Sequence, residues 1–399
     1  MVNVKLLMSA YACAPDKGSE AGIGWSWVNG MADLGHDVTV LTHTRNRSEI
    51  ETAPVRPNLR FEYVSPSTLS GKVKGQLGVF AQYFSWQAEA LATARKSGLF
   101  DVVHHVTWGS LQGGSHLWKL GYPFVFGPVG GGQTMPPTFY TIVQGDLRLE
   151  RLRTAVTRLM PWFPPARATF RRANLVLAAN TETGELAKRM GAQHIEYMAD
   201  TAMQPHLLHP PEARQSKELF EVLWVGRLLH RKAVLLAIDV MERLDDGFRL
   251  TIYGDGPDGP ALAHRIQHSL ARHRIDWKGQ VPWGEVMVAY RSSDAFLFTS
   301  ARDTMGSQVF EAMGSGLPVV TMNHQGVGTH VPDAAGIKVP VTNPGQVAHD
   351  LAQALKVLRD DSERWQAAAQ SAFDSVQSHL PEKRLEQMDR LYRGLRVKS

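Results

Sequence analysis

Short runs of apolar residues alternate along the chain with longer segments in which apolar and polar positions follow a helical period. The short runs have the length of buried strands, and the segments between them have the spacing of amphipathic helices. Such alternation is typical of an α/β protein with a parallel, doubly wound sheet. We predict strands at 2–9, 38–42, 59–64, 102–106, 123–126, 175–178, 220–225, 249–253, 295–299 and 317–321.

The alternation occurs twice, which predicts two Rossmann-like domains in tandem with a cleft between them. A polar, proline-rich stretch, Thr201–Lys217, separates the two series and has the composition of a domain boundary. We therefore assign residues 1–203 to a first domain and 204–375 to a second. The remaining residues, 376–399, form a helical segment that we expect to pack back on the first domain.

Composition identifies a folded protein. Of the 399 residues, 43% are apolar and 20% are charged, which is ordinary for a globular chain. Cys13 is the single cysteine, so no internal disulfide forms, as expected in a reducing cytosol. We find neither a signal peptide at the start nor an apolar run long enough to span a membrane. These features predict a cytoplasmic protein.

The net charge of +5 lies wholly in the first half, because residues 201–399 carry equal numbers of acids and bases. The densest basic segment, residues 148–172, holds seven arginines and one acid, interleaved with leucine, valine and aromatic residues. It either lies peripherally on the anionic inner face of a membrane or is a solvated helix, ended by the prolines from Pro161 onward. No nucleic-acid-binding motif accompanies it.

Two acids follow the predicted strand Ala295–Thr299. Asp303 lies in the loop after this strand, and Glu311 lies eight positions later in a helix that Ser307 opens. The free backbone N–H groups at a helix N-terminus favour an anion. The two carboxylates could therefore act as an acid/base pair, or bind hydroxyl groups of a sugar–phosphate ligand.

A second loop carries cations. Gly226 ends the strand at 220–225, and Arg227 and Lys232 flank a loop that enters a helix. A strand end, two cations and a helix N-terminus can hold a diphosphate. Alternatively, Arg227 pairs with a local acid and Lys232 is exposed to solvent. The next strand ends in a tight turn that contains Gly254 and Gly256 and lets the backbone approach a ligand closely.

Taken in order, these pieces resemble family 4 of the retaining glycosyltransferases. The matching features are strand–G-R-x(4)-K–helix, then I-Y-G-D-G-P, then an acid and a glutamate eight positions apart, followed by A-M-G-S-G-L-P-V-V. The specific part of the resemblance covers about residues 223–321, and the first domain matches more loosely. The resemblance implies the GT-B fold, in which two Rossmann-like domains face a cleft and the second holds a nucleotide-sugar.

The resemblance also implies roles for residues of the second domain. Arg227 and Lys232 would neutralise the donor diphosphate, and Glu311 would bind the ribose hydroxyls. Asp303 stands where the family usually has Glu, and would bind hydroxyls of the transferred sugar. A second departure is Ala233, where the family commonly has Gly. The other residues assigned to donor binding are Gly226, Gly254, Gly256, Gly306, Ser307 and Gln308.

In the first domain the family has a glycine-rich turn close to the phosphate and the acceptor. Counting back from Gly35 places this turn on Gly18 and Ser19. The next residue, Glu20, either binds acceptor hydroxyls or is a first-turn acid favoured by the helix dipole. Gly130 and Gly131, in the glycine-rich segment after the strand at 123–126, belong to a flexible loop facing the cleft or to a plain turn.

Two histidines end the strand at 102–106. The family has a histidine in this region that contacts the donor sugar, and neighbouring residues of a strand point to opposite faces. We favour His105 as the catalytic histidine and assign His104 to the core. Adjacent positions on a strand cannot converge on one metal ion, so no metal site is expected here. The absence of an Asp-x-Asp motif agrees with a metal-independent enzyme.

The function implied is transfer of a hexosyl unit from a nucleotide-diphosphate sugar to an acceptor hydroxyl, with retention of configuration and no cofactor. UDP is favoured over GDP because it is commoner in the family. The acceptor would be a sugar or a lipid-linked molecule, in polysaccharide, glycolipid or natural-product synthesis. Two alternatives stay open at this point: a GT-B nucleotide-sugar epimerase, and a non-catalytic nucleotide-sugar-binding partner protein.

Overall fold

The computed structural model describes residues 3–15, 17, 19–54, 56–67, 75–142, 147–213 and 218–396. The chain divides into two compact units. Unit 1 comprises Met1–Gly132, Val156–Thr201 and Pro381–Ser399, and unit 2 comprises Gln133–Ala155 and Ala202–Leu380. The piece Gln133–Ala155, which sequence analysis placed in the first domain, therefore belongs to unit 2.

Unit 1 contains a seven-stranded parallel sheet with the strand order β3-β2-β1-β4-β5-β6-β7. Its strands are β1 (Lys5–Ala10), β2 (Asp37–His43), β3 (Leu59–Val64), β4 (Val102–Thr107), β5 (Phe124–Val129), β6 (Leu175–Ala178) and β7 (Ile195–Tyr197). The helices among its described residues are α1 (Ser19–Asp33), α2 (Arg47–Ile50), α3 (Gly75–Ala94), α5 (Pro164–Arg172), α6 (Thr181–Arg189) and α14 (Pro381–Arg396). Helix α4 (Leu147–Leu159) crosses from unit 2 into unit 1 at Val156.

The core of unit 1 lies on both faces of this sheet, because every position of the central strands β4 and β5 is buried. The C-terminal helix α14 contributes to one side. Its Met388 and Tyr392 are fully buried beside Trp27 and Val28 of α1. Arg384 of the same helix donates to the carbonyl of Ala199 at 2.7 Å. Helix α14 is thus packed into the core of unit 1.

Unit 2 contains a six-stranded parallel sheet with the strand order β10-β9-β8-β11-β12-β13. Its strands are β8 (Phe220–Val225), β9 (Phe248–Tyr253), β10 (Ile275–Gly279), β11 (Ala295–Phe298), β12 (Val319–Met322) and β13 (Gly336–Val339). Its helices among the described residues are α7 (Val234–Met241), α8 (Gly259–Gln267), α9 (Trp283–Ser292), α10 (Ser307–Gly314), α11 (Gln325–His330), α12 (Pro344–Asp360) and α13 (Ser362–Val376). Met135 and Phe139, from the piece Gln133–Ala155, are buried in its core.

The predicted class, two parallel α/β domains, is confirmed. Every strand that the sequence predicts is present within three residues of its expected start and end. Sequence analysis missed β7, β10 and β13, which are edge strands of their sheets. An edge strand is covered less completely than a central one, so its side chains do not form a continuous apolar run. In β10, for example, exposed positions alternate with positions that are buried or only partly buried.

In each sheet the strand order reverses at one point, between β1 and β4 in unit 1 and between β8 and β11 in unit 2. Open α/β sheets bind ligands outside the carboxyl ends of the strands at such a point. We therefore expect the ligand site of unit 2 to lie at the loops after β8 and β11. Within the described ranges, no helix combines the length and apolar content needed to cross a bilayer.

Candidate functional site

The loop after β8 brings its cations to the reversal point of the second sheet. Gly226 is buried, Arg227 is exposed, and His230–Lys232 form one tight helical turn before α7. Lys232 is only 5% exposed, so the alternative in which it is a solvated lysine is wrong. Ala233 then adopts the left-handed conformation, with φ of 48° and ψ of 46°. This conformation costs a non-glycine residue roughly 1–2 kcal/mol, and glycine, which the family resemblance implies at this position, would adopt it without that cost.

The Lys232 ammonium group contacts the Asp303 carboxylate. The lysine predicted to bind phosphate and the aspartate predicted to bind the sugar therefore form an ion pair with each other. A second cation, Arg231, lies 3.2 Å from the other oxygen of Asp303. Burial raises the pKa of Asp303, but Lys232 and Arg231 more than offset this, and its pKa is below the ordinary value. Asp303 is therefore an ionised carboxylate at neutral pH. The interpretation of Asp303 as a proton-donating acid is not supported.

The backbone around Asp303 is held as firmly as its side chain. Its own N–H donates to Gln325 Oε1 at 2.7 Å, and the N–H of Thr304 donates to Asp303 Oδ1 at 3.1 Å. Gln325 begins α11 in a left-handed conformation, with φ of 54°. These contacts fix the direction in which the carboxylate points.

Arg227 differs from its neighbours because its side chain is exposed. The described residues give it no side-chain hydrogen bond or ion pair, so the alternative in which it pairs with a local acid is not supported. An exposed arginine has its planar fork of donors available for a ligand. This is the geometry expected of a residue that binds phosphate.

Glu311 lies on α10, one turn from its start. Its Oε2 accepts a hydrogen bond from the hydroxyl of Tyr290, a fully buried residue of α9, at 3.1 Å. Burial raises the pKa of Glu311, and the hydrogen bonds from Tyr290 and Ser307 act in the opposite direction. Asp303 and Glu311 thus occupy different environments, the first held by cations and the second by hydroxyl groups. The Glu311 environment is suited to hydrogen bonding with hydroxyls.

The N-terminus of α10 is formed by three predicted donor-binding residues. Gly306, the cap, has φ of 92°, Ser307 is exposed, and Gln308 is partly buried. The Oε1 atom of Gln308 is buried without a hydrogen-bond partner among the described residues. Backbone N–H groups at the start of this helix favour an anion or an electronegative hydroxyl.

Gly254 and Gly256 bring the turn after β9 against the loop after β8. A side chain at Gly254, whose φ is 133°, would place its Cβ 1.9 Å from the carbonyl oxygen of Gly226. The carbonyl of Asp255 accepts the N–H of Leu228 at 2.9 Å. These glycines are therefore required because two backbones pack together, and they shape the cationic loop. The sequence predicts that this turn approaches a ligand closely, whereas in the structure it closely approaches the backbone of the loop after β8.

In unit 1 the predicted phosphate turn is only partly visible. Gly18 lies outside the described residues, and of Ser19 the structure describes the backbone that begins α1. Glu20 lies in the first turn of α1, and its Oε1 accepts the N–H of Gly109 at 2.7 Å. Burial raises the pKa of Glu20, and the Gly109 contact lowers it in part. Glu20 thus links α1 to the loop after β4; its contact with an acceptor stays a prediction.

Gly130 and Gly131 continue from β5 at the same edge of the first sheet. Gly130 is buried and exchanges backbone hydrogen bonds of 3.0 Å with Gly109 and Leu111. Gly131 has a φ of 106°. The loop after β5 is thus tied to the loop after β4, which agrees better with an ordered turn than with a flexible loop.

The two histidines of β4 require a correction. The sequence predicts that only His104 is a core residue, but both imidazoles are fully buried. His104 contacts the hydroxyl of Tyr392 at 2.5 Å and the carbonyl of Gly127 at 2.6 Å. His105 lies 3.3 Å from the hydroxyl of Tyr83 and from the carbonyl of Trp108. Because β4 is covered on both faces, alternation along the strand turns neither ring to the surface.

Comparisons with known proteins agree with this geometry. The family description "Glycosyl transferase 4-like domain" matches residues 24–199, and "Glycosyl transferases group 1" matches residues 209–372. The chain belongs to the group 1 glycosyltransferases. It is 30% identical over 159 residues to the sulfoquinovosyl transferase SQD2 of Arabidopsis thaliana, a match that covers 40% of this chain and 30% of that protein.

Two further relatives illustrate the range of this family. The lipopolysaccharide core biosynthesis glycosyltransferase LpsD of Rhizobium meliloti is 27% identical over 182 residues, covering 44% of this chain and 50% of LpsD. The alpha-monoglucosyldiacylglycerol synthase of Acholeplasma laidlawii is 30% identical over 104 residues, covering 25% of this chain and 26% of the synthase. The matches thus span at most half the length of these relatives. They establish the family, and they do not identify a substrate of this chain.

Solved structures are similar over nearly the whole glycosyltransferase chain. Sucrose-phosphate synthase from Thermosynechococcus elongatus superposes with a TM-score of 0.69 at 18% identity, covering 99% of both chains. Anabaena HepE in complex with UDP superposes with a TM-score of 0.63 at 15% identity, covering 96% of this chain and 98% of HepE. At this identity the likeness concerns the fold, and it confirms the predicted GT-B class.

Several residues of the candidate site were not predicted from the sequence. Arg231 and Gln325 contact Asp303, and Tyr290 contacts Glu311. The signal for Arg231 was present, since it lies beside Lys232 in a run of three basic residues. Tyr290 and Gln325 reach the site only through the fold, so no local pattern reveals them. No group of three or more His, Cys, Asp or Glu side chains converges as a metal site within the described part of the chain.

Proposed function

We propose that this glycosyltransferase moves a hexosyl unit from a nucleotide-diphosphate sugar to an acceptor hydroxyl, with retention at the anomeric carbon. The observation that carries the proposal is the presence of two cations, an exposed Arg227 and a buried Lys232, in the loop after β8, at the reversal point of the second sheet. Two cations at the carboxyl end of β8 suit a ligand with two adjacent negative charges, such as a diphosphate.

In this proposal the diphosphate lies against the loop after β8. Arg227 donates its planar fork to one phosphate, and Lys232 acts as a point charge on the oxygen that departs with the nucleotide. Because Lys232 is held by Asp303, its ammonium group is already oriented when the donor binds. Preorganised charge of this kind stabilises a transition state without reorganisation during the reaction.

The two acids bind hydroxyl groups in the proposal. Glu311, which already accepts a hydrogen bond from Tyr290, would accept further hydrogen bonds from the ribose. Asp303 would accept a hydrogen bond from a hydroxyl of the transferred sugar while it holds Lys232 and Arg231. The contact between His105 and the donor stays a prediction, and we assign it no step, because its ring is fully buried.

The transfer is proposed to proceed on one face of the sugar, without a metal ion. The bond between the anomeric carbon and the phosphate oxygen breaks, and a bond from that carbon to the acceptor oxygen forms. The acceptor hydroxyl proton passes to the departing phosphate oxygen, which releases the nucleoside diphosphate. Arg227 and Lys232 stabilise the negative charge that develops on this oxygen, a contribution usually worth about 10²–10³ in rate.

UDP is the first nucleotide to test, since the HepE structure carries UDP and another HepE structure carries UDP-glucose. A thermal-shift screen of UDP- and GDP-hexoses identifies the donor, because a ligand that binds the native state raises its apparent stability. The product formed with that donor is then analysed by NMR. Retention of the anomeric configuration supports the proposal, and inversion contradicts it, as does the absence of a shift with every nucleotide-sugar.

We further propose that the enzyme works at the cytoplasmic face of a membrane, where a lipid-linked acceptor is available. Along helix α4, Leu149, Leu152, Val156 and Leu159 are between 40 and 62% exposed, although they are apolar. At about 100° per residue they form one stripe roughly 80° wide, with Arg148 and Arg153 on either side of it. Trp162, 71% exposed, lies three residues after the end of the helix.

The only acid between Arg148 and Arg172 is Glu150, and it is buried. The exposed surface of α4 is therefore apolar and basic, as in helices that lie in an anionic membrane interface. Co-sedimentation with vesicles of phosphatidylglycerol and phosphatidylcholine tests this. Binding should require the anionic lipid, fall with salt, and decrease in Leu152→Glu but not in Leu270→Glu, a control at an exposed leucine of unit 2. Binding that ignores anionic lipid and salt contradicts it.

A further inference from the structure

A buried carboxylate from outside both predicted loops reaches the candidate donor site. Glu150, on α4, is only 3% exposed. Its Oε1 accepts the Nε–H of Arg302 at 2.7 Å, and its Oε2 accepts an Nη2–H of the same guanidinium at 3.1 Å. Arg302 directly precedes Asp303. This two-point contact fixes both the position and the plane of the guanidinium group.

The same carboxylate also approaches the cationic loop. Glu150 Oε2 lies 3.5 Å from Nε2 of His230, two residues before Lys232. The loop after β8 and the loop after β11 also contact each other directly. The carbonyl of Arg231 accepts the N–H of Arg302 at 3.1 Å. The Nη1 of Arg231 donates in return to the carbonyl of Arg302 at 3.1 Å. One buried carboxylate thus contacts both loops at the place where they meet.

Two further residues of the same piece of chain support the Asp303 loop. The amide of Gln133 donates to the hydroxyl of Thr304 at 2.9 Å. The carbonyl of Thr134 accepts the side-chain amide of Gln325 at 3.1 Å, and the other end of that amide accepts the N–H of Asp303. The piece Gln133–Ala155 therefore contacts both neighbours of Asp303 and the residue that holds its backbone.

A buried ion pair contributes little net stability compared with apolar side chains of the same volume, because both charges lose their hydration. It does impose a defined geometry, and here that geometry concerns Asp303 and Lys232. A contribution to folding alone would need no contact with both loops. The convergence of Glu150, Gln133 and Thr134 on one loop is what separates this pair from an ordinary structural ion pair.

We propose that Glu150 is a positioning residue of the donor site. It holds Arg302 and His230 so that Asp303 and Lys232 meet in the geometry that receives the nucleotide-sugar. This inference deepens the proposed function and rests on it, in so far as the two loops are taken to hold the donor. Glu150 itself touches neither the donor nor the acceptor, and it acts through the loops.

The test uses the full-length protein and two measurements. Hydrogen exchange of the amides in residues 301–306 reports the order of the loop without any ligand. Calorimetric titration with UDP reports the affinity of the site. In Glu150→Gln we expect at least tenfold faster exchange in this loop and at least tenfold weaker UDP binding. The control is Glu242→Gln, which disrupts another two-point carboxylate–guanidinium pair of unit 2, the partly exposed one with Arg265, and should change neither measurement more than twofold.

A double variant separates positioning from stability. Replacing both partners, in Glu150→Leu with Arg302→Met, leaves no unpaired buried charge, so stability should return close to the wild-type value. If Glu150 positions the loops, UDP binding stays at least tenfold weak in this variant. Recovery of UDP binding together with stability overturns the proposal, as does unchanged loop exchange in a folded Glu150→Gln. If the wild type binds no UDP, the UDP assignment fails, and loop exchange still decides the role of Glu150.

Discussion

Removing the charge of Lys232 is the most direct test of the proposed mechanism. The substitution Lys232→Met keeps most of the alkyl stem, which is buried and lies beside the ring of Phe298, with the ammonium nitrogen 5.2 Å from the ring centre. It removes the ammonium group that contacts Asp303. The variant therefore retains the packing of the loop after β8 and loses one of the two cations assigned to the diphosphate.

The expected cost to stability is moderate. Removing one partner of a fully buried ion pair usually costs about 3–5 kcal/mol, because the other charge is left buried and unpaired. Asp303 keeps Arg231 at 3.2 Å and the N–H of Thr304 at 3.1 Å, so it is not left unpaired. We therefore expect a loss of about 2 kcal/mol, less than the usual range. A loss of this size leaves a typical domain folded.

The expected cost to catalysis is larger. One preorganised charge on the departing oxygen is usually worth about 10²–10³ in rate, or roughly 2.7–4 kcal/mol. The affinity for UDP should fall about tenfold, since in the proposed mechanism the same charge contacts the product diphosphate, and tenfold corresponds to about 1.4 kcal/mol. Turnover should therefore decrease more than binding, because the charge on the oxygen is greatest in the transition state.

The assay measures release of UDP from the donor identified by thermal shift, together with UDP affinity by calorimetry and unfolding by urea. Lys338→Met is the matched control. Lys338 is also a mostly buried lysine of unit 2, paired with Asp333 at 2.8 Å on the edge strand β13. The control should lose stability without losing activity. A folded Lys232→Met that turns over within threefold of the wild type would refute the role of Lys232.

Three other outcomes follow from the structure. Asp303→Glu lengthens the side chain by one methylene, and the ratio of kcat/KM for two UDP-hexoses should change at least threefold; an unchanged donor profile contradicts its contact with the sugar. Gly254→Ala should cost more than about 2 kcal/mol in urea unfolding, because the new Cβ meets a carbonyl oxygen at 1.9 Å, whereas Gly284→Ala, with open space around it, should cost nothing. Burial lowers the pKa of His104 to about 4, so its proton binds more tightly in the unfolded chain, and stability should fall as pH drops from about 6.5 to 4. The fall should be smaller in His104→Gln, and an equal fall contradicts this.

The sequence by itself determined the parts of the protein that depend on local pattern. Buried central strands are continuous apolar runs, so their number and order along the chain could be predicted. The loops after β8 and β11 follow directly from predicted strands, and this order along the chain predicts that Arg227, Lys232 and Asp303 lie at one sheet edge. Parallel strands bring their carboxyl ends to the same edge of a sheet. Residues that directly follow such strands in the sequence can therefore be predicted to share one site.

Only the tertiary structure decided which of these groups contact each other. The pairing of Lys232 with Asp303 joins residues 71 positions apart, and that of Glu150 with Arg302 joins residues 152 apart. The burial of His105 depends on helices that cover both faces of β4. Periodicity within one segment carries no information about such partners, because it reports how a segment divides between core and surface. Which charge finds which partner is fixed only when the separate segments pack together.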